Sequence, residues 1–144
     1  MKKVLIALML LLLSCTVTSA RTEYTATSVA CSINNAPWSD WCSMNCLFVM
    51  DQENKQVRIY SDVDYSIYTN KFSINSYGTQ TIDYGNVYTT YGTNDQGCHF
   101  RKETIKGNDK NGINCVMYFM IFDDGDLMFI ISYKDIQYKY MLQR

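Results

Sequence analysis

The chain reads INCVMYFMIF at residues 113–122, DDGD at 123–126 and LMFIISY at 127–133. Runs rich in aromatic and β-branched side chains favour strands, and Asp-Gly between two such runs is typical of a tight hairpin turn. The segment therefore predicts an antiparallel pair of strands, Ile113–Phe122 and Leu127–Tyr133. Ile136–Leu142 predicts a further strand directly after this hairpin.

Both strands of this hairpin are apolar at odd and even positions, over residues 115–122 and 127–131. Successive side chains of a strand point to opposite faces, so a strand with one wet face would alternate. We therefore expect both faces to be covered. The interior of the fold covers one, and the Trp38/Trp41 segment, a helix, a ligand, a second subunit or lipid covers the other.

Shorter runs separated by turn residues predict four more strands upstream. They are residues 45–51, 56–61, 65–72 and 97–105. Residues 106–112 predict a turn-rich loop. Three Tyr-Gly pairs ending at Gly78, Gly85 and Gly92 lie seven residues apart, and we interpret them as strand ends and turns because glycine suits turns.

A succession of hairpins with short loops places sequence neighbours side by side in the sheet. The fold class expected is therefore all-β: an antiparallel up-and-down meander that curls into a small sheet or barrel, lipocalin- or calycin-like in outline.

The N-terminus predicts export. Met1-Lys2-Lys3 precedes the apolar run 4–13, which is shorter than the about 20 residues needed to span a bilayer. Cleavage after Ala20 gives a signal of residues 1–20. Alternatively, Leu-Leu-Ser-Cys at 12–15 resembles a lipobox, with a signal of residues 1–14 and Cys15 acylated as the mature N-terminus. We expect a protein of the cell envelope, lipid-anchored or periplasmic, or a secreted one.

The domain organisation follows from a change of composition near residue 44. Residues 21–43 are rich in Ser, Thr, Asn and Ala and contain Trp38 and Trp41, so we expect a leader or tether that docks through its tryptophans. Residues 44–144 form the β domain. Without the signal, eleven basic residues stand against fourteen acidic ones, and this balance argues against a nucleic-acid partner.

The sequence carries no catalytic signature, and we expect neither an enzyme nor a cofactor. Cys98-His99 is the one adjacent nucleophile and base, but neighbours in a strand point apart. The five cysteines beyond residue 20 lack a Cys-x-x-Cys pair, so structural disulfides or buried thiols are expected rather than a metal site. The acidic residues 123–126 do not match a calcium loop and are interpreted as a hairpin turn.

Two non-catalytic functions remain open. The first is a β-barrel that binds a small apolar ligand, with four candidate lining residues: Met117, Phe119, Met128 and Phe129. The second is an interaction module, such as an adhesin, inhibitor or assembly subunit, that contacts a glycan or another envelope protein through a tyrosine-rich face. The candidate recognition residues are Tyr65, Tyr68, Tyr77, Tyr84, Tyr88 and Tyr91.

Several short motifs resemble those of small, uncharacterised exported proteins and lipoproteins of Bacteroidota. They are Trp38-Ser39-Asp40-Trp41, Val57–Ser61, Tyr68, Asn94–Cys98 and Ile130–Asp135 with Tyr138 and Tyr140. The resemblance covers about residues 38–142. It implies a compact β-sheet domain in the form of a barrel, and it implies no catalytic residues.

Overall fold

A computed structural model describes residues 21–61 and 79–144 of the chain. These residues form eight strands: β1 (Arg21–Ile33), β2 (Cys42–Asp51), β3 (Gln56–Ser61), β4 (Thr79–Thr93), β5 (His99–Asp109), β6 (Asn114–Phe122), β7 (Leu127–Ser132) and β8 (Ile136–Gln143). Each pairs antiparallel with the next, and β8 pairs with β1 to close a barrel. The expected all-β meander is confirmed. Within the described residues, no helix has the length and hydrophobicity of a membrane span.

Residues 21–33 are not a leader, and this prediction is corrected by β1. Thr25 pairs with Leu47 of β2 on one side and with Gln143 of β8 on the other, so β1 closes the sheet. A bulge near residues 26–29 breaks its alternation, and residues 29–32 are buried in succession. The local pattern was therefore too irregular to indicate a strand, which pairing with two neighbours stabilises.

Gly85 and Gly92 do not mark turns, so the prediction that the Tyr-Gly pairs are strand ends and turns is wrong at these two positions. Both lie inside β4, a strand of 15 residues. Glycine marks a turn where φ is positive, and the structure gives such values to Gly97, Gly112 and Gly125, each in a hairpin connection. Gly78 and the predicted strand 65–72 lie outside the described residues, as do the export signal and Cys15.

The predicted hairpin at residues 113–133 is present, with its Asp-Gly turn in place. Asp124 accepts a hydrogen bond from the Asp126 N–H through Oδ1 at 2.9 Å. The preceding loop is shorter than predicted, because β5 continues to Asp109. The Asp109 carboxylate accepts from the N–H groups of Asn111 and Ile113, both at 2.9 Å, and thereby caps the turn.

Candidate functional site

The barrel interior is packed with large side chains from several strands. The Phe48 ring lies 5.1 Å from Phe129 and 4.9 Å from Tyr140, measured between centroids. Phe48 and Phe129 are fully buried, and Tyr140 is nearly so. These ring separations are those of directly packed aromatic pairs, so protein side chains fill this part of the interior.

The four candidate ligand-lining residues divide between the two faces of the sheet. Met117, Phe119 and Phe129 are buried and face inward. Met128 does not: it lies beside Phe129 in β7 and therefore points outward, where it is partly exposed. The prediction that Met128 lines the interior is therefore wrong.

Two concave regions, of about 590 and about 520 Å³, are open to solvent. Neither is bordered by any of the four candidate ligand-lining residues. The smaller lies between Lys106 and Lys134 and includes Cys115, a thiol whose pKa is raised to about 12 by burial and by the carboxylate of Asp109. A thiol with that pKa stays protonated and weakly nucleophilic at neutral pH.

The outer faces of β6 and β7 carry apolar side chains that are neither buried nor fully exposed. Neighbouring side chains shield part of this surface. The Phe100 and Phe122 rings lie 5.5 Å apart, and the Lys102 ammonium lies 5.4 Å from the Tyr118 ring centroid. Among the residues the structure describes, these lateral contacts shield part of the outer face, and its covering by a ligand, a second subunit or lipid stays a prediction.

The β4–β5 hairpin extends beyond its neighbour β3. Register pairs between β3 and β4 run from Tyr60 and Thr79 to Gln56 and Asp83, and the Tyr84 N–H then donates to the Lys55 carbonyl at 3.0 Å. A bulge between Tyr84 and Val87 follows. Past this bulge, β4 pairs only with β5 among the described residues. We call residues 87–93 the free segment.

The free segment exposes large side chains on both of its faces. Val87 is 44 % exposed, Tyr88 55 % and Tyr91 80 %. Val87 and Tyr91 share the inward-directed face, since Val87 pairs with the buried Ile105, while Tyr88 points outward. Exposed aromatic side chains of this size are the type that contributes most to protein interfaces.

The candidate recognition residues separate in the same way. Tyr88 and Tyr91 lie on the free segment, whereas Tyr84 is only partly exposed and packs against the core. Burial raises the pKa of Tyr84, with contributions from the carboxylates of Asp51 and Glu103. Tyr84 therefore offers less surface for recognition than Tyr88 and Tyr91, and Tyr65, Tyr68 and Tyr77 lie outside the described residues.

Asp51 at the end of β2 is almost fully buried and organises the neighbouring rim. It accepts from the main-chain and side-chain nitrogens of Asn54, each at 3.0 Å, and forms an ion pair with Arg21 at 3.1 Å. The hydrogen bonds from Asn54 lower the pKa of this carboxyl, and the charge of Arg21 adds to the effect. These contacts identify Asp51 as the structural cap of the β2–β3 turn.

Trp38 and Trp41 dock the β1–β2 loop onto β8 through a cation. The Lys139 ammonium lies 4.4 Å from the Trp38 ring centroid and 5.3 Å from that of Trp41, and burial lowers its pKa. Ser39 attaches the same loop to β1, because it donates its N–H to the Cys31 carbonyl and its Oγ accepts from the Cys31 N–H. These contacts explain the two tryptophans as residues that hold the β1–β2 loop against the barrel.

Cys98 and His99 are not in contact through their side chains as a nucleophile and base. The His99 Nδ1 lies 2.9 Å from the Thr93 hydroxyl, and the Cys98 thiol donates to the His99 main-chain carbonyl at 3.6 Å. Of the five described cysteines, Cys31, Cys46 and Cys115 are buried, and Cys42 and Cys98 are partly exposed. In the described ranges, no group of three or more His, Cys, Asp or Glu side chains has the arrangement of a metal site.

The free segment is the feature that sequence reasoning missed. The sequence marks this region as rich in tyrosine, but the projection of Tyr88 and Tyr91 depends on β4 being much longer than β3, a relation set by strand pairing. No family model matches the chain, and neither the curated proteins nor the solved structures compared with it include a match.

Proposed function

We propose that the chain is a non-catalytic interaction module that binds another protein through the free segment of β4. The observation that carries this proposal is the exposure of Val87, Tyr88 and Tyr91 on a hairpin that projects past β3. Burying exposed apolar area on a partner is favourable by about 25 cal/mol per Å² of surface before the costs of association are paid.

The type of surface favours a protein over a glycan as the partner. Residues 84–93 contain no charged side chain, and their threonines are divided between the two faces of the strand, whereas sugar sites typically need several polar groups that converge beside an aromatic ring. A free strand edge instead offers main-chain donors and acceptors that pair with another polypeptide.

The ligand-binding barrel stays a prediction, which the packing of the interior does not favour. Three of its candidate lining residues, Met117, Phe119 and Phe129, are at most 6 % exposed. Their side chains pack against other side chains of the core. A bound apolar molecule would have to displace them. We therefore place the interaction module first.

Export is part of the proposal and rests on residues 1–20. The basic start and the apolar run 4–13 support it, and Cys15 supplies the candidate lipid anchor. Comparing membrane and soluble fractions of the wild type and Cys15→Ala tests the anchor. An unchanged distribution would count against acylation.

A site-specific photo-crosslinker tests the binding surface. Replacing Tyr91 with p-benzoylphenylalanine keeps an aromatic ring at the free segment, and the same replacement at Tyr118 is the matched control, because Tyr118 lies on the outer face of β6 beneath Lys102. In producing cells, we expect a discrete protein adduct from position 91 and little or none from position 118. Absence of any adduct at position 91, or equal adducts at both positions, would contradict the proposal.

A further inference from the structure

Among residues 21–61 and 79–144, nothing pairs with the second edge of the free segment. Of the described residues, β5 alone pairs with residues 87–93, whereas β3 pairs with the earlier part of β4. Natural sheets commonly protect such an edge with lysine, proline or a covering loop. Residues 87–93, VYTTYGT, contain neither lysine nor proline.

The hydrogen bonds at the hairpin tip show which main-chain groups point to the open edge. The Asn94 N–H donates to the Cys98 carbonyl, and the His99 carbonyl accepts from Asp123 of the β6–β7 turn, both at 2.9 Å. His99 thus directs its main-chain groups toward β6, and Thr93, its register partner, directs its own away from β5. Because this direction alternates along a strand, the main-chain N–H and C=O groups of Val87, Thr89 and Tyr91 also point away from β5, to the open edge.

We propose that this edge pairs with the same edge of a second copy of the chain, antiparallel about a two-fold axis at Thr90. This inference rests on the proposed function and names the partner class of the same surface. In this register, Thr89 faces Tyr91 of the second copy, Val87 faces Thr93 of the second copy, and Tyr88 faces Gly92 of the second copy. Thr90 faces its own equivalent.

Three features support a second copy as the occupant. Val87, Thr89, Tyr91 and Thr93, whose main-chain groups point to the open edge, form four facing pairs with the second copy, and these pairs together exchange about eight hydrogen bonds, two for each pair. No charged residue lies in the segment, so two-fold pairing opposes no like charges. The pairing also sets the exposed Tyr91 ring against a β-branched residue, a favourable cross-strand combination, and a two-fold interface needs this self-complementarity.

The affinity follows from the size of the contact. One strand pair buries less than the about 1,200 Å² typical of stable interfaces, so we expect a reversible dimer. Assembly is therefore governed by local concentration, which attachment to a shared surface would raise.

Sedimentation equilibrium of the exported, processed protein tests the dimer. We expect the average mass to rise toward twice that of the chain across the micromolar range. Thr90→Lys places two ammonium groups opposite each other at the axis and should raise the dissociation constant by up to about fivefold. Thr22→Lys, an exposed position on β1, adds the same charge elsewhere and should leave the dissociation constant unchanged.

Two results of this experiment would overturn the inference. One is a wild-type mass that stays monomeric up to about 1 mM, a range that covers weak interfaces. The other is a Thr90→Lys variant as dimeric as Thr22→Lys while both show the circular dichroism spectrum and melting temperature of the wild type.

Cysteine cross-linking tests the register independently. In a Cys98→Ser background with dissolved oxygen as oxidant, Thr90→Cys should form a disulfide-linked dimer, because the two positions face each other. Tyr88→Cys, which faces Gly92 of the second copy, should form markedly less. Equal cross-linking from both positions would contradict the register.

The outcome also separates this inference from the proposed function. A monomer that still gives a photo-adduct with a different protein at position 91 overturns the second-copy inference and leaves the interaction module intact. An adduct at twice the mass of the chain supports both. A protein that is monomeric and gives no adduct contradicts both.

Discussion

Replacing Gly107 with alanine tests how closely β4 and β5 approach inside the barrel. A Cβ atom on Gly107 would lie 2.6 Å from the Ile82 Cγ2 atom and 2.8 Å from the main-chain oxygen of Asp83. Both distances are shorter than carbon contacts allow. Asp83 pairs with Gln56 on one side and Asn108 on the other, so its main chain cannot shift without disturbing the sheet.

The expected change in stability is the difference of two effects. Forcing one extra methyl group into a packed core costs about 1–3 kcal/mol. Replacing glycine with alanine also restricts the unfolded chain, which stabilises the folded state by about 0.4–1 kcal/mol. We therefore expect Gly107→Ala to lower the free energy of unfolding by about 1–2 kcal/mol, or the melting temperature by roughly 5 °C.

Urea unfolding followed by circular dichroism measures this change, with Gly85→Ala as the matched control. Gly85 lies in the neighbouring strand, its φ is not positive and a Cβ there would meet nothing within 4 Å. We expect Gly85→Ala to gain about 0.4–1 kcal/mol, because the unfolded-state effect acts alone. If Gly107→Ala were as stable as Gly85→Ala, the close approach of β4 and β5 described above would be refuted.

Three further predictions concern the core, the rim and the thiols. Phe129→Ala removes a fully buried ring that packs on Phe48 and should cost about 3–5 kcal/mol in urea unfolding; a loss below about 1 kcal/mol would contradict the filled interior. The folded pKa of Asp51 lies below its ordinary value of 3.8, so its stabilisation is present above that pH and is lost as the pH falls through the folded pKa. Asp51→Asn should lower stability at pH 7 and flatten the loss between about pH 5 and pH 2, and an unchanged acid slope would argue against this role. Iodoacetamide at pH 8 should label the partly exposed Cys98 well before Cys115, as peptide mass spectrometry can measure, and equal rates in the folded protein would contradict the burial of Cys115.

The C-terminal meander was predictable because its signals are local. Asp-Gly at residues 124–125 gave the turn, and the aromatic and β-branched runs on either side gave β6 and β7. The predicted strand 56–61 coincides with β3 for the same reason. These signals need only neighbouring residues, so a single sequence contains them.

The errors share a cause, which is that distant residues decide the outcome. The composition of residues 21–33 resembles a tether, and only pairing with β2 and β8 makes them a strand. Gly92 continues β4 because it pairs with Phe100 of β5. The Phe100 ring covers Gly92 so closely that a Cβ atom at Gly92 would lie 2.5 Å from the Phe100 Cζ atom. Neither relation can be read from nearby sequence.

The candidate site was only half visible for a similar reason. The exposure of Tyr88 and Tyr91 follows from β3 ending its pairing at Asp83 while β4 continues to Thr93. Strand geometry alone predicts that Met128 and Phe129 cannot both face the interior, because adjacent residues of a strand point to opposite faces.

The position at which β1 begins limits how far an anchored protein could reach. Arg21 pairs with Asp51, at the same rim from which the β4–β5 hairpin projects. Five residues separate Arg21 from Cys15. A fully extended chain spans about 3.3–3.6 Å per residue, so this linker could reach at most roughly 20 Å. If Cys15 is acylated, the free segment would face the lipid surface at short range. Two neighbouring copies would then meet edge to edge, confined to a plane in which they encounter each other by lateral diffusion.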